Sequence, residues 1–436
     1  MKASKKLTRR KLLTAFAAAT TGVLSARSAA SLASPASSDQ NAEMSAADKH
    51  QHLHTDHKNG MSMNPLVDRF PRRHPDIVLS SPPQTMGRQM GRVVTPGIPP
   101  LGYRMDGNVK VFELIAQPVE VVITEQDSGE HSHAPTIPEG HQGFQPRLSQ
   151  PKIMFAWGYN GNCPGPTLEA TEGDRVRIIL RNELPEPTSI HWHGFELPFS
   201  QDGASGYRSF EARRPVLPGQ TEVYEFDLIQ SGTLMYHTGF NVMKQEALGL
   251  SGAFVIHPRR RERNIDKDFA LVLQQWTFQP GNPNPNINAM EPSFATFNGK
   301  TAPSFPQLVV HQGDRVRIRF ANLSPLYHPI HIHGHVFEIV GTTGGPIPAG
   351  ARWRDVTVTI GPGETRDIDL LAWNPGTWRM HCHVLHHIMN QMPDQPLGIA
   401  PHEGMFTHLK VIPHERGYDP RSIKAPWKYP PKQEGI

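Results

Sequence analysis

The sequence predicts an all-β chain folded as two sandwiches of antiparallel strands, and three observations carry that reading. Short β-rich runs such as Arg175-Val176-Arg177-Ile178-Ile179-Leu180 and Thr357-Val358-Thr359-Ile360 alternate with Pro-Gly and Asn-Gly turns. The 42 prolines and 37 glycines among 436 residues suit many short strands, whereas long amphipathic helical patterns are scarce. The chain also repeats itself. Glu172-Gly173-Asp174-Arg175-Val176-Arg177-Ile178 realigns with Gln312-Gly313-Asp314-Arg315-Val316-Arg317-Ile318 at an offset of 140 residues. Pro218-Gly219, Gly232-Thr233 and His237 realign with Pro362-Gly363, Gly376-Thr377 and His381 at an offset of 144. Two homologous halves are therefore expected over 105–260 and 261–415. Residues 34–104, rich in Pro, Ser, His and Met, read as a flexible extension, and 416–436 as a Pro- and Lys-rich tail.

The N-terminus has the organisation of a signal peptide over residues 1–33. Thr8-Arg9-Arg10-Lys11-Leu12-Leu13 precedes an apolar run to Leu24 and small residues to Ala33, which resembles a twin-arginine signal and implies export, to the periplasm or beyond. That run is too short and alanine-rich for a permanent membrane span, and no later segment approaches ~20 apolar residues. The same 33 residues hold seven basic side chains and no acid, so the formal charge of +4 becomes −3 without them. The basic balance therefore gives no support to nucleic-acid binding. Cys163 and Cys382 are the two cysteines. If Cys382 binds a metal, no intramolecular disulfide is available, and packing and metal must hold the fold.

Four histidine motifs carry the chemistry: His191-Trp192-His193-Gly194, Tyr236-His237-Thr238-Gly239, His328-Pro329-Ile330-His331-Ile332-His333-Gly334-His335, and His381-Cys382-His383 with His387 and Met392 beyond it. Imidazoles alternating along a strand face one side, so paired strands can aim several nitrogens at one centre. A His2Cys set with a weak axial Met suits a one-electron copper site, because thiolate and thioether favour Cu(I) while imidazole suits both oxidation states. Structural zinc prefers four closed ligands at other spacings. The repeat supplies an internal control: His328, Cys382, His387 and Met392 correspond to Thr188, Thr238, Met243 and Leu248, so the cysteine site is confined to the second half. The paired histidines occur in both halves. His381 and His383 flank Cys382, giving electrons two adjacent backbone routes toward a second cluster.

In these motifs and their order, over about residues 105–415, the chain resembles the multicopper oxidases. Only 91 residues separate His237 from His328, which leaves no room for a middle domain and points to the two-domain, laccase-like members. The resemblance implies two cupredoxin-like Greek-key sandwiches. It assigns His328, Cys382, His387 and Met392 to a type 1 copper, and His191 with His331 to the type 2 copper. It places His193, His237 and His383 on one type 3 copper, and His333 with His381 on the other. That last ion normally has a third imidazole, at the position of Gly239 here. A histidine introduced at 239 is expected to complete the set, for up to four coppers per chain. Asp202 would relay protons as a catalytic carboxylate; the alternative is an ordinary turn aspartate. With the clusters shared between halves, the resemblance implies a homotrimer closed head to tail.

The function expected is an exported copper oxidase, with a phenolic or cuprous-ion reductant, dioxygen as acceptor and, in the cuprous case, a role in copper tolerance. One alternative is a copper-binding or electron-transfer protein impaired by Gly239. Another is a copper nitrite reductase, whose blue site lies in the first domain of the proteins it resembles. His50, His52, His54, His57, Met61 and Met63 read equally as a copper-collecting cluster or a polar segment. His131 and His133 read as surface residues that could replace the missing ligand. His335 is expected to pack, His386 to be a weaker candidate than His387, and Cys163 to fill a turn or core. Met235, Met243, Met380, Met389 and Met405 offer soft contacts for Cu(I) or ordinary core filling.

Overall fold

The computed structural model describes residues 92–124, 153–205, 213–260, 263–279, 282–289, 292, 294–390 and 404–414. Nearly all regular structure in them is strand, arranged as four sheets that form two sandwiches. In the first, one sheet orders Arg104–Asp106, Val109–Val122, Arg175–Asn182 and Thr221–Asp227, with Ile153–Tyr159 on the far end of the long strand. The facing sheet orders Leu168–Thr171, Ser251–His257, Gly232–Thr238 and Ile190–His193. Leu114, Ile178 and Phe226 from one sheet meet Trp192, Leu234 and Phe254 from the other in a common apolar core.

The second sandwich repeats the plan. Lys267–Trp276, Arg315–Asn322, Thr365–Leu371 and Phe337–Thr342 belong to one sheet; Leu308–His311, Phe406–Ile412, Gly376–Cys382, His328–Ile332 and Thr357–Ile360 form the other. Ile318, Phe320 and Phe337 pack there against Ile330, Met380 and Cys382. Three strand pairs repeat their bounds at the offsets read from sequence: Arg175–Asn182 with Arg315–Asn322, Thr221–Asp227 with Thr365–Leu371, and Gly232–Thr238 with Gly376–Cys382. The sandwiches are mixed rather than purely antiparallel. Val109–Val122 runs parallel to Arg175–Asn182, and Leu168–Thr171 parallel to Ser251–His257, with equivalents in the second half. From Ile153–Tyr159 to Gly232–Thr238 each successive strand crosses to the opposite sheet, so some neighbours arrive in the same direction, which hydrophobic alternation does not reveal.

The two halves pack closely. Every residue of Gly232–Thr238 is buried, because Leu234 and Tyr236 face their own core while Met235 turns outward onto Ala253, Val272, Ala321 and Leu323. Such two-sided burial replaces the apolar-polar alternation of a half-exposed strand. At this junction the buried Arg319 makes bonds of 2.7 and 2.9 Å to Asp268, donates to Asp367 Oδ2 at 3.2 Å and reaches Thr233 Oγ1 at 2.8 Å. Thr365 Oγ1 donates to Thr233 O at 2.7 Å. From the N-terminal side, Val93 joins Val255 and Ala270 in a small cluster.

Removing one partner of a buried ion pair leaves the others as uncompensated charge. Arg319→Met is therefore expected to lower stability by roughly 3–5 kcal/mol, read from the denaturant midpoint. A loss under about 1 kcal/mol would show that water reaches Asp268 and Asp367 and that the cluster does not bind the halves together.

Candidate metal centres

The cysteine site is assembled by strand register. Ile330 pairs with Cys382 and His331 with His381 across antiparallel strands. Alternation then turns Cys382 into the apolar core while the flanking imidazoles face the other way. His328 begins its strand, and the helix Leu385–Met389 brings His387 back over the sulfur. His328 Nδ1 lies 3.8 Å and His387 Nδ1 3.4 Å from Cys382 Sγ, and all three residues are buried. Burial lowers the imidazoles to about 3 at His328 and about 4 at His387, and pushes the Cys382 thiol up to about 12. The nitrogens are thus neutral near pH 7 and able to ligate, and the thiol would give up its proton there only to a metal. Two imidazoles and one sulfur converging in an apolar pocket fit copper.

Sequence reasoning missed the groups that aim these rings. Ser324 Oγ stands 2.7 Å from His328 Nε2. The Gln275 carboxamide stands 2.9 Å from His387 Nε2. With Nδ1 of each ring turned to the sulfur, Nε2–H donates; Gln275 accepts once its amide is turned to present Oε1, which has no other partner, in place of Nε2. Ser324 was legible in the repeat, since its counterpart is Leu184, which cannot accept a hydrogen bond. Gln275 comes from a strand 112 residues away in sequence from His387 and carries no local signal.

In the first half a polar network occupies the corresponding volume. Thr188 and Thr238, counterparts of His328 and Cys382, both donate to Gln245 Oε1, at 2.8 and 2.6 Å. Gln245 Nε2 donates in turn to Glu186 Oε1 and Pro187 O, each at 2.8 Å. Met243, counterpart of His387, is 85% exposed and points elsewhere.

The remaining imidazoles form two groups. His191, His193 and His237 present ligand atoms within 4.8 Å of one another. His193 Nδ1 faces His237 Nε2 at 3.2 Å, while His191 Nδ1 is taken by Asp202 O at 3.1 Å, leaving Nε2 as its free nitrogen. Asp202 Oδ2 lies 3.4 Å from the same Nδ1. In the second half His333 Nε2 faces His381 Nε2 at 3.2 Å, and His331 Nδ1 is bound by Val356 O at 2.7 Å. His383 completes this set, its ring centroid 5.5 Å from that of His381 and 5.7 Å from that of His331. Burial lowers His237 and His381 to about 4. Among the described residues, no ring contact joins an imidazole of one group to an imidazole of the other.

Gly239 is the spatial counterpart of His383: its N–H donates to Ser189 O at 3.1 Å as that of His383 donates to Pro329 O at 2.7 Å. A Cβ built at Gly239 would stand 2.3 Å from Gly203 O, so a histidine there requires the turn after Asp202 to shift. Two further groups went unnoticed in the sequence. Glu246 Oε2 is 3.9 Å from His237 Nδ1, with its carboxyl raised to about 7 by burial, and the Gly363 backbone of the second half backs His193. His335 packs as expected, buried between Trp373 and Trp378; His386 is exposed and Cys163 buried. Met235, Met380 and Met405 are buried in the core. Met392, His131, His133, the cluster from His50 to Met63 and the signal segment lie outside the described residues.

Two family models described as multicopper oxidase match residues 147–261 and 277–395. The chain is 28% identical over 318 residues to a probable nitrite reductase-hydroxylamine oxidoreductase fusion protein of Kuenenia stuttgartiensis, across 66% of this chain and 34% of that protein. It is 37% identical over 149 residues to copper resistance protein A of Escherichia coli, across 34% of this chain and 23% of that protein. The chain thus spans about a third of the first relative and about a quarter of the second. Among solved structures it is similar to a blue copper oxidase from Nitrosomonas europaea, with 26% identity and a TM-score of 0.56, covering 69% of this chain and 85% of that one.

Groups behind a ligating imidazole fix its tautomer, and their loss typically costs 10–100-fold in metal affinity. Ser324→Ala is expected to weaken copper binding at the cysteine site by roughly that factor while leaving the circular dichroism unchanged. Titration of the metal-free protein with Cu(I) under a competing chelator measures it. An affinity equal to wild type would show that Ser324 does not orient His328.

Proposed function

Because this chain belongs to the multicopper oxidase family, we propose that it is an exported copper oxidase. It takes single electrons from a phenolic or cuprous-ion reductant and passes them to dioxygen. The observation that carries this reading is the run His381-Cys382-His383, in which a buried sulfur is one peptide link from each of two outward imidazoles. In the proposed assignment His328, Cys382, His387 and Met392 hold the type 1 copper, and His191 with His331 the type 2 copper. His193, His237 and His383 hold one type 3 copper, and His333 with His381 the other. Copper bound at these positions supplies one-electron exchange at the first site and multi-electron reduction of dioxygen at the second.

The chain's own residues do the rest. The apolar wall around Cys382 excludes water, and Ser324 and Gln275 hold His328 and His387 with Nδ1 toward the sulfur. The peptide links on either side of Cys382 lead to His381 and His383. Asp202, beside His191, is placed to hold or pass a proton. The likeness to a copper resistance protein supports the cuprous-ion reading and a role in copper tolerance. No helix among the described residues is long and apolar enough to cross a membrane, and the twin-arginine-like N-terminus supports export.

Each half offers one part of the second cluster, so the reading includes a homotrimer in which the first half of one subunit meets the second half of the next. The exposed Phe199 and Met243, on elements beside the first imidazole group, and Trp353 and Val356, beside the second, are apolar surface suited to that contact. A second reading, electron transfer without efficient oxygen reduction, is favoured by Gly239, which leaves the His333–His381 pair without a third imidazole.

The blue absorbance band from thiolate-to-copper charge transfer, together with oxygen consumption by the loaded protein, separates the two readings. Cys382→Ser is expected to abolish the band and the oxygen uptake with the fold intact. His387→Ala should disturb the band, whereas the exposed His386 should be replaceable by Ala without effect. Colour surviving in Cys382→Ser excludes the assignment, and blue protein without oxygen uptake establishes the second reading. A copper-loaded, active monomer in light scattering contradicts the trimer.

A further inference from the structure

Where the two halves meet, beside the Arg319 cluster, lies a cleft of about 460 Å³. That volume is ordinary for a small-molecule site. Four pieces of chain wall it: the N-terminal segment at Arg92, the first half at Gly232 and residues 256–258, the connection between halves at Arg260 and Arg263, and the second half at Arg317, Arg319 and Arg352. Six of the lining residues are arginine and none is lysine. The planar guanidinium fork is the group that matches carboxylate and phosphate oxygens two at a time. These arginines fall into two sets. The deeper ones are engaged by the protein's own carboxylates. Arg319 gives Nε and Nη2 to Asp268, and Arg317 gives Nε and Nη2 to Asp369, so both oxygens of each acid are occupied. Asp367 Oδ2 accepts from Arg319, Asp266 Oδ2 from the Arg315 N–H, and Arg263 pairs with Glu338. The outer set differs. Arg92 and Arg260 are exposed, and among the described residues neither side chain has a hydrogen-bond or carboxylate partner. With Asp369 and Glu338 behind the wall, six arginines face five carboxylates, and the surplus charge sits at the rim.

We propose that this cleft binds a small oxyanion, a molecule bearing phosphoryl or carboxylate groups, held at the rim by Arg92 and Arg260. Each guanidinium carries five N–H donors, and those of these two arginines are the ones the described protein leaves unbonded. The backbone at Arg92 is already fixed. Its N–H and that of Val93 donate to Glu169 Oε1 and Oε2 at 2.8 and 2.9 Å, and Val93 packs with Val255 and Ala270. Holding that backbone in advance lowers the ordering cost of binding. A bound anion then ties the N-terminal segment to the connection between the halves. The cleft shares no lining residue with the proposed copper ligands, so the inference stands apart from the oxidase reading.

The test is calorimetric titration of the copper-loaded full chain with inorganic phosphate and, separately, with succinate, each against sodium chloride at matched ionic strength. A single class of saturable site is expected, weakening as salt is added, with a melting temperature that rises with anion concentration. Arg92→Ala and Arg260→Ala each remove charge-assisted hydrogen bonds and are expected to raise Kd by roughly 10–100-fold. Both side chains are exposed, so the variants keep the wild-type melting temperature when no anion is added. Arg259→Ala removes a neighbouring cation that does not line the cleft and leaves Kd unchanged. Any exchange of anion with copper is common to all these proteins, so the comparison among them isolates the cleft. Tighter binding of phosphate assigns the phosphoryl class, and tighter binding of succinate the carboxylate class. The proposal is overturned if neither anion binds more tightly than chloride. It is also overturned if Arg259→Ala weakens binding as much as Arg92→Ala and Arg260→Ala, which would show attraction to general surface charge.

Discussion

Everything at the proposed centres depends on the pairing of two short strands, with Ile330 opposite Cys382 and His331 opposite His381. Because a strand alternates its faces, this one register buries the sulfur among apolar side chains and turns the neighbouring imidazoles outward. A slip by one residue would exchange the two environments. The register is held by the core, where Ile330, Met380 and Cys382 face Ile318, Phe320 and Phe337. The first half keeps the same register, Ile190 opposite Thr238 and His191 opposite His237, with no metal ligand at the inward position. The sandwich therefore sets this geometry without help from the metal.

What differs between the halves is how each fills the space the shared register creates. The second half leaves an apolar pocket with two imidazoles and a thiol. The first closes the corresponding volume with the Thr188–Gln245–Thr238 network, whose polar atoms satisfy one another and so can be buried. There the first half has hydrogen bonds within the protein where the second half has a thiol and an imidazole.

The junction between halves ties these local choices together. Met235 packs outward from the strand that carries His237, and Arg319 spans from Asp268 and Asp367 to Thr233 on that same strand. The Gly363 backbone of the second half stands behind His193. The first imidazole group is thus oriented partly by the second half of its own chain. Among the described residues its imidazoles nonetheless make no ring contact with those of that half, and the proposed assembly of several chains rests on that separation.

The sequence by itself determined the duplicated β-sandwich, the confinement of the cysteine site to one half and the residues offered as ligands. These are properties of spacing, and the offsets of 140 and 144 reappear in the bounds of corresponding strands. It also showed that position 239 lacks an imidazole. Only the tertiary structure decided which nitrogen of each ring is free, that Ser324 and Gln275 orient His328 and His387, and that Gln245 fills the first half. It also revealed the parallel pairings that the alternation pattern hid. The physical reason is range. Ligand spacing is written along one strand, where geometry is periodic. The groups that aim or replace a ligand arrive from strands and loops distant in sequence, and only packing brings them within hydrogen-bond reach.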